Sequence, residues 1–150
     1  MKHPIPAEPG TYVLVFESQL ASQVSVGALG NVSVTPGFYL YVGSAHGGGG
    51  LQARISRHLS CDKPLRWHMD YLRPKLNSVE VWWQASEERL ESAWVEAIPE
   101  LEIRPHHKGF GASDSPHFSH LFYSSTLPPF HKWRVLNPRC NRYTIATTSS

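Results

Sequence analysis

Two tyrosines, an arginine, a histidine and a glutamate stand at spacings from which a hydrolytic site could be assembled. Tyr12 lies in "GTYVLVFES" and Tyr41 in "GFYLYVGS". Arg54 and His58 fall four residues apart in "LQARISRHL", which places them on one face of a helix. Glu91 begins a later helical stretch, "LESAWV". The chemistry open to these residue types is hydrolysis of a phosphate ester. A carboxylate can hold a hard divalent cation, arginine can clamp phosphate oxygens bidentately, and tyrosine or histidine can handle the proton of an attacking water. Singly, each has a plainer reading: strand tyrosines pack, a helical Arg/His pair lines a solvated face, and a helix carboxylate is solvated. The information lies in their joint occurrence.

Between Tyr41 and Arg54 runs "SAHGGGGL", which invites comparison with a phosphate-cradling loop. A nucleoside-triphosphate loop needs a lysine and a hydroxyl residue after its last glycine, and Leu51 stands there instead. A dinucleotide fingerprint needs an acidic residue at the end of a second strand, whereas Asp70 falls in an expected helix. The glycines therefore read as a strand-to-helix hinge that lets the backbone turn and approach a substrate closely.

The elements that must position these side chains follow from periodicity. Residues 10–18 alternate apolar and β-branched positions after Pro9-Gly10 and read as a strand; 23–34 read as two short strands around a glycine turn; 37–44 read as an aromatic-rich strand. Leu51, Ile55 and Leu59 form one apolar stripe of a helix over 51–59. "PLRWHMDYLRP" reads as a helix from an N1 proline to Pro74, and 78–86 as a strand. A further helix is expected after Ser86 as N-cap, with Leu90, Trp94 and Ala97 inward. Residues 105–119 read as a Gly/Ser/His-rich loop and 120–125 as a last strand. This order predicts a small α/β fold with a mixed sheet and outer helices.

A chain of 150 residues with 17% charged and 41% hydrophobic residues is expected to fold as one domain without staples. Two cysteines, Cys61 and Cys140, with no CxxC pair, fit a reducing compartment, and no apolar run reaches membrane-spanning length. A cytoplasmic protein with no membrane partner is expected. Net charge is only +2, which hints at an anionic partner rather than a strongly basic binder. Basic residues outnumber acidic ones over 51–75, and 126–150 reads as a loosely held, partly disordered basic tail containing three prolines, set apart from a domain over 1–125.

Taken in order, "GTY", "YVG", Arg54 with His58, "RWHMDYL", "ERLESAW" and "GFGASDSPHFSHLFY" resemble the GIY-YIG nucleases, and the fuller pattern resembles their Uri-type endonuclease branch, over roughly residues 9–123. The middle motif positions are Thr11 and Val42 rather than isoleucine, and residues 23–34 are inserted between the half-motifs. The resemblance implies three core strands in a mixed sheet with helices outside. It implies catalytic roles for Tyr12, Tyr41, Arg54 and His58 and a metal-binding role for Glu91, with Glu96 the fallback. The ion expected is Mg2+ (or Mn2+), and the partner is DNA, single-stranded, duplex or branched. Gly43, which closes the second motif, and Ser113, Asp114 and His120 of the second stretch are expected at the substrate.

The expected activity is endonucleolytic hydrolysis of DNA phosphodiester bonds. Tyr12 is a candidate general base or water-orienting group, provided that Arg54 and the metal lower its pKa from about 10. His58 is the other candidate base, and would set a break in the pH–rate profile near about 6.5. A catalytically silent nucleic-acid-binding module of the same fold is the competing class. His68 and Asp70 are read as structural or substrate-rim residues, and His106-His107 lacks the companions of a zinc site.

Overall fold

The computed structural model describes residues 5–60, 63–112 and 116–145. Its frame is a six-stranded sheet in the order β6-β7-β4-β1-β5-β8. The strands are β1 (Gly10–Ser18), β4 (Gly37–Ala45), β5 (Asn77–Ala85), β6 (Arg104–Pro105), β7 (Leu121–Ser124) and β8 (Asn141–Thr144). The inserted segment forms a separate hairpin of β2 (Ser22–Ser25) and β3 (Asn31–Val34). Among the described residues four α-helices flank the sheet: α1 (Gly50–Leu59), α2 (His68–Leu72), α3 (Glu91–Ala97) and α4 (Phe130–Leu136). The α/β class and the inserted hairpin are as expected. The sheet itself differs: the three central strands β4, β1 and β5 are extended on both sides, and every pairing is antiparallel.

β1 is the centre of the molecule. Side chains alternate across a strand, so Tyr12, Leu14 and Phe16 enter one core and Val13 and Val15 the other. The first core lies under α1, α2 and the hairpin, with Leu51, Ile55, Met69 and Leu72 packed on it. The second lies under α3 and α4 and holds Trp82, Trp94 and Trp133. Covering both faces explains why "TYVLVF" is apolar at nearly every position rather than at every second one. Where both faces are packed, helices on opposite sides can converge at one end of the sheet.

Three expected boundaries move. The stretch after 125 is not a loose tail over the described residues. β8 pairs with β5, from Glu80 opposite Thr144 to Trp83 opposite Asn141, and Trp133 of α4 stacks on Trp82 with ring centroids 5.6 Å apart. Residues 126–145 therefore complete the second core, and the expected domain limit at 125 cuts through it; residues 146–150 lie outside the described residues. The helix expected from Pro64 begins only at His68, because the Asp70 carboxylate accepts the Arg66 and Trp67 N–H groups and holds them out of helical geometry. The next helix begins at Glu91 instead of after Ser86. Ser86 Oγ accepts the Glu88 N–H, and Ser86 N–H donates to Pro9 C=O, so this residue stays tied to the sheet.

Candidate active site

The glycine run ends in two left-handed residues, Gly49 at φ 83° and Gly50 at φ 59°. What approaches Gly50 closely is the chain's own N-terminal segment. A Cβ there would lie 2.4 Å from Glu8 C=O, and the Leu51 and Gln52 N–H groups donate to Glu8 and Pro6 carbonyls. Those carbonyls occupy donors at the N-terminus of α1 that a phosphate would need. The run turns the chain and seats the helix; the expected close approach to substrate is replaced by an internal contact.

α1 carries Arg54 and His58 to the end of the sheet where β1 starts and β4 finishes. Cations fix the far end of this helix. Arg73 donates to the carbonyls of His58 and Leu59, and Lys63 Nζ to those of Arg57 and His58. Tyr12 faces the same side from β1, opposite Gly43 of β4. Gly43 stands inside the strand rather than in a closing turn, and it is buried. A Cβ on it would lie 2.4 Å from Tyr12 Oη, so the missing side chain is the space the phenol fills.

His58 is buried between the two tyrosines, with ring centroids 5.7 Å from Tyr12 and 5.6 Å from Tyr41. Its Nδ1 has no hydrogen-bond partner among the described residues. Burial, together with the Lys63, Arg54 and Arg57 charges, pushes its pKa down to about 3 against the opposing pull of Asp70, so the imidazole is neutral near pH 7. The tyrosines move the other way. Burial raises Tyr12 well above the ordinary phenol value, helped by Tyr41 and Glu91; Arg54 pulls it down by charge and a hydrogen bond and is outweighed. Tyr41 is raised by burial and by Glu91. The condition placed on Tyr12 as general base, a lowered pKa, is not met by the protein's own groups.

Glu91 enters from the opposite face, at the first residue of α3. Ser44 follows Gly43 and, by strand alternation, points to the other side. Its Oγ donates to Glu91 Oε1 at 3.0 Å, while its C=O accepts from Arg54 Nη1 at 3.1 Å. One residue thus ties together groups from α1 and α3 across the sheet. His120 lies beside Glu91, with Nδ1 2.9 Å from Oε2. Burial works to raise the Glu91 pKa, but the hydrogen bonds from His120 and Ser44 and the charges of His120 and Arg54 outweigh it, and the net shift is downward.

His120, expected at the substrate, is a buried partner of Glu91. Ser113 and Asp114 lie outside the described residues. Glu96, the fallback ligand, is exposed and faces His117 at 3.7 Å. His68 accepts the Gly111 N–H at 2.8 Å, and the His106 and His107 rings lie against the Ser33 and Asn31 carbonyls, so these three histidines tie the 105–112 loop to α2 and β3. Sequence reasoning did not single out Ser44 or Trp67. The signal for Ser44 was its place beside Gly43 on the alternate strand face; for Trp67 it was an aromatic among basic residues in "LRWHMD".

Among the described residues no three His, Cys, Asp or Glu side chains gather as a metal-binding group. Glu91 is a single ionised carboxylate with its side chain 31% exposed. That donor set fits Mg2+ or Mn2+, which can rest on one carboxylate and complete their shells with water and phosphate oxygens. It does not fit a zinc centre. None of the helices among the described residues is long and apolar enough to cross a membrane.

No curated protein and no solved structure matches the chain. A family model, "Domain of unknown function DUF123", matches residues 11–135, a span that runs from β1 into α4 and contains every site residue above. The chain belongs to this DUF123 family.

Proposed function

We propose that this protein is a metal-dependent endonuclease that hydrolyses DNA phosphodiester bonds at the end of the sheet where β1, β4, α1 and α3 meet. The observation that carries the reading is the Ser44 bridge, which brings a guanidinium and an ionised carboxylate from opposite faces of the sheet beside the Tyr12–His58–Tyr41 group.

Arg54 binds the scissile phosphate and stabilises charge that develops on its non-bridging oxygens. Neutral His58, enclosed by Tyr12 and Tyr41, packs both phenols in place, and the proton of the attacking water leaves to solvent. Tyr12 and Tyr41 stay protonated and donate hydrogen bonds that orient the water or a phosphate oxygen. Ser44 and His120 hold the Glu91 carboxylate ionised and oriented. Glu91 would hold Mg2+ or Mn2+, which when bound supplies Lewis-acid stabilisation to the phosphate and the leaving oxygen. DNA is the proposed partner and the cytoplasm the proposed location.

The test presents single-stranded, duplex and branched DNA to the protein with Mg2+, Mn2+ or EDTA. Cleavage of at least one substrate with metal and none in EDTA is expected. Tight binding with no cleavage on any of them would favour the silent binding module instead.

A further inference from the structure

We propose that Trp67 is a positioning residue of this site: pinned in place by the buried Asp70 carboxylate, its indole seats the Arg54 guanidinium and packs over the His58 ring. The proposal rests on the hydrolytic reading for why such positioning matters.

Residues 63–67 carry neither helix nor strand, so regular structure does not hold Trp67. Asp70 does. Its side chain is 0% exposed. It accepts from both Arg57 Nη atoms at 3.1 Å and from the Arg66 and Trp67 N–H groups at 2.9 and 2.8 Å, with Lys63 Nζ 3.4 Å away. A buried carboxylate is retained only when so compensated. Two of these bonds fix the backbone just before the indole and at it.

The indole then contacts groups of the site. Trp67 belongs to neither core cluster and is only half-buried. Its ring lies 5.1 Å from His58, 4.7 Å from Arg54 Cζ and 4.0 Å from Arg57 Cζ. Stacking engages a guanidinium through its face and leaves the N–H edge free. For Arg57 that edge is taken by Asp70. Arg54 places one Nη on Ser44 C=O, hydrogen-bonds the Tyr12 phenol and keeps its remaining donors for a phosphate. Trp67 thus fixes the plane of Arg54 without consuming its donors.

Trp67 also completes the dry surroundings of His58, whose other ring neighbours are Tyr12 and Tyr41. The charged groups acting on His58 are Lys63, Asp70, Arg54 and Arg57. Opening one side of the ring to water therefore moves its titration upward towards the ordinary value.

The test compares wild type with Trp67→Phe and Trp67→Leu. NMR follows the His58 ring titration and the Arg54 Nε–H signal in the free protein, alongside kcat and KM on DNA. The Leu variant should show His58 titrating at higher pH, a shifted Arg54 signal, and kcat down on the order of tenfold to a hundredfold with KM nearly unchanged. Phe, which keeps an aromatic face, should restore kcat to within a few-fold. If the Leu variant fails to fold, Trp67→Gln makes the same comparison. An active enzyme whose folded Leu or Gln variant keeps the wild-type NMR signals and kcat would overturn the proposal. If the wild type cleaves nothing and the signals still move, the hydrolytic reading falls while Trp67's hold on Arg54 and His58 stands.

Discussion

His58 is the residue in which fold and chemistry are most tightly coupled. Its pKa, lowered by burial to about 3 from 6.5, means that the unfolded chain binds a proton below about 6.5 that the folded protein refuses. Stability attributable to this group is complete above pH 6.5 and declines as pH falls towards 3. Asp70, for which burial is outweighed by Arg57 and the Trp67 and Arg66 N–H groups, is lowered to about 2 from 3.8 and adds a second loss as pH falls through that interval. Urea unfolding followed between pH 7 and 4 should show stability falling with acid, and His58→Gln should flatten that fall; equal slopes would contradict the assignment. On the proposed hydrolytic reading, no acid limb near the 6.5 of an ordinary histidine is expected in the pH–rate profile, because His58 is already neutral there. A sequence shows that a histidine shares a helix face with an arginine. It cannot show the two tyrosine rings and the indole that keep the histidine dry, since these arrive from three other segments.

At the scale of elements, the pairing of β1 with β4 is what makes the site. Cross-strand register sets Tyr12 opposite Gly43, and alternation sends Ser44 to the Glu91 side. Gly43→Ala should force the Tyr12 phenol out of its space. Overpacking of this kind costs about 1–3 kcal/mol, and denaturant unfolding would read it together with a loss of cleavage. A variant of wild-type stability and activity would show that the phenol does not need the space. β1, β4, β5 and the hairpin were legible as apolar, β-branched and aromatic runs bounded by turn residues, and α1 by its four-residue apolar stripe. α2 and α3 start later than their apolar spacing predicts. In each case a side chain, Asp70 or Ser86, captures backbone N–H groups and overrides the apolar spacing. That Tyr12, Tyr41, Arg54, His58 and Glu91 meet at one strand end was legible through motif order. Ser44 and Trp67 were not legible, because each acts by contact with another segment and carries no distinctive spacing.

At the scale of the whole molecule, the chain closes on itself through its last described elements. Phe130 and Trp133 of α4 and Cys140 beside β8 are buried in the second core, and β8 covers the β5 edge. Prolines and arginines gave that stretch the composition of a tail. Composition does not register Trp133 meeting Trp82 and Trp94, from segments about 40–50 residues away. Trp133→Ala should cost about 3–5 kcal/mol in urea unfolding, as for other large-to-small core changes. Ending the chain at residue 125 should prevent a cooperative fold, which circular dichroism melting would detect; a stable 1–125 fragment would restore the tail reading.

α1 and α3 lie on opposite faces of the sheet yet deliver Arg54 and Glu91 to one strand end, where on the proposed reading the two groups act together on a phosphate. Single-turnover cleavage of DNA in Mg2+ by wild type, Arg54→Ala and Glu91→Gln, each verified as folded, tests this most directly. Metal-dependent cleavage by wild type is expected, with a loss of at least about a hundredfold in each variant. Cleavage at the wild-type rate in both folded variants would contradict that reading.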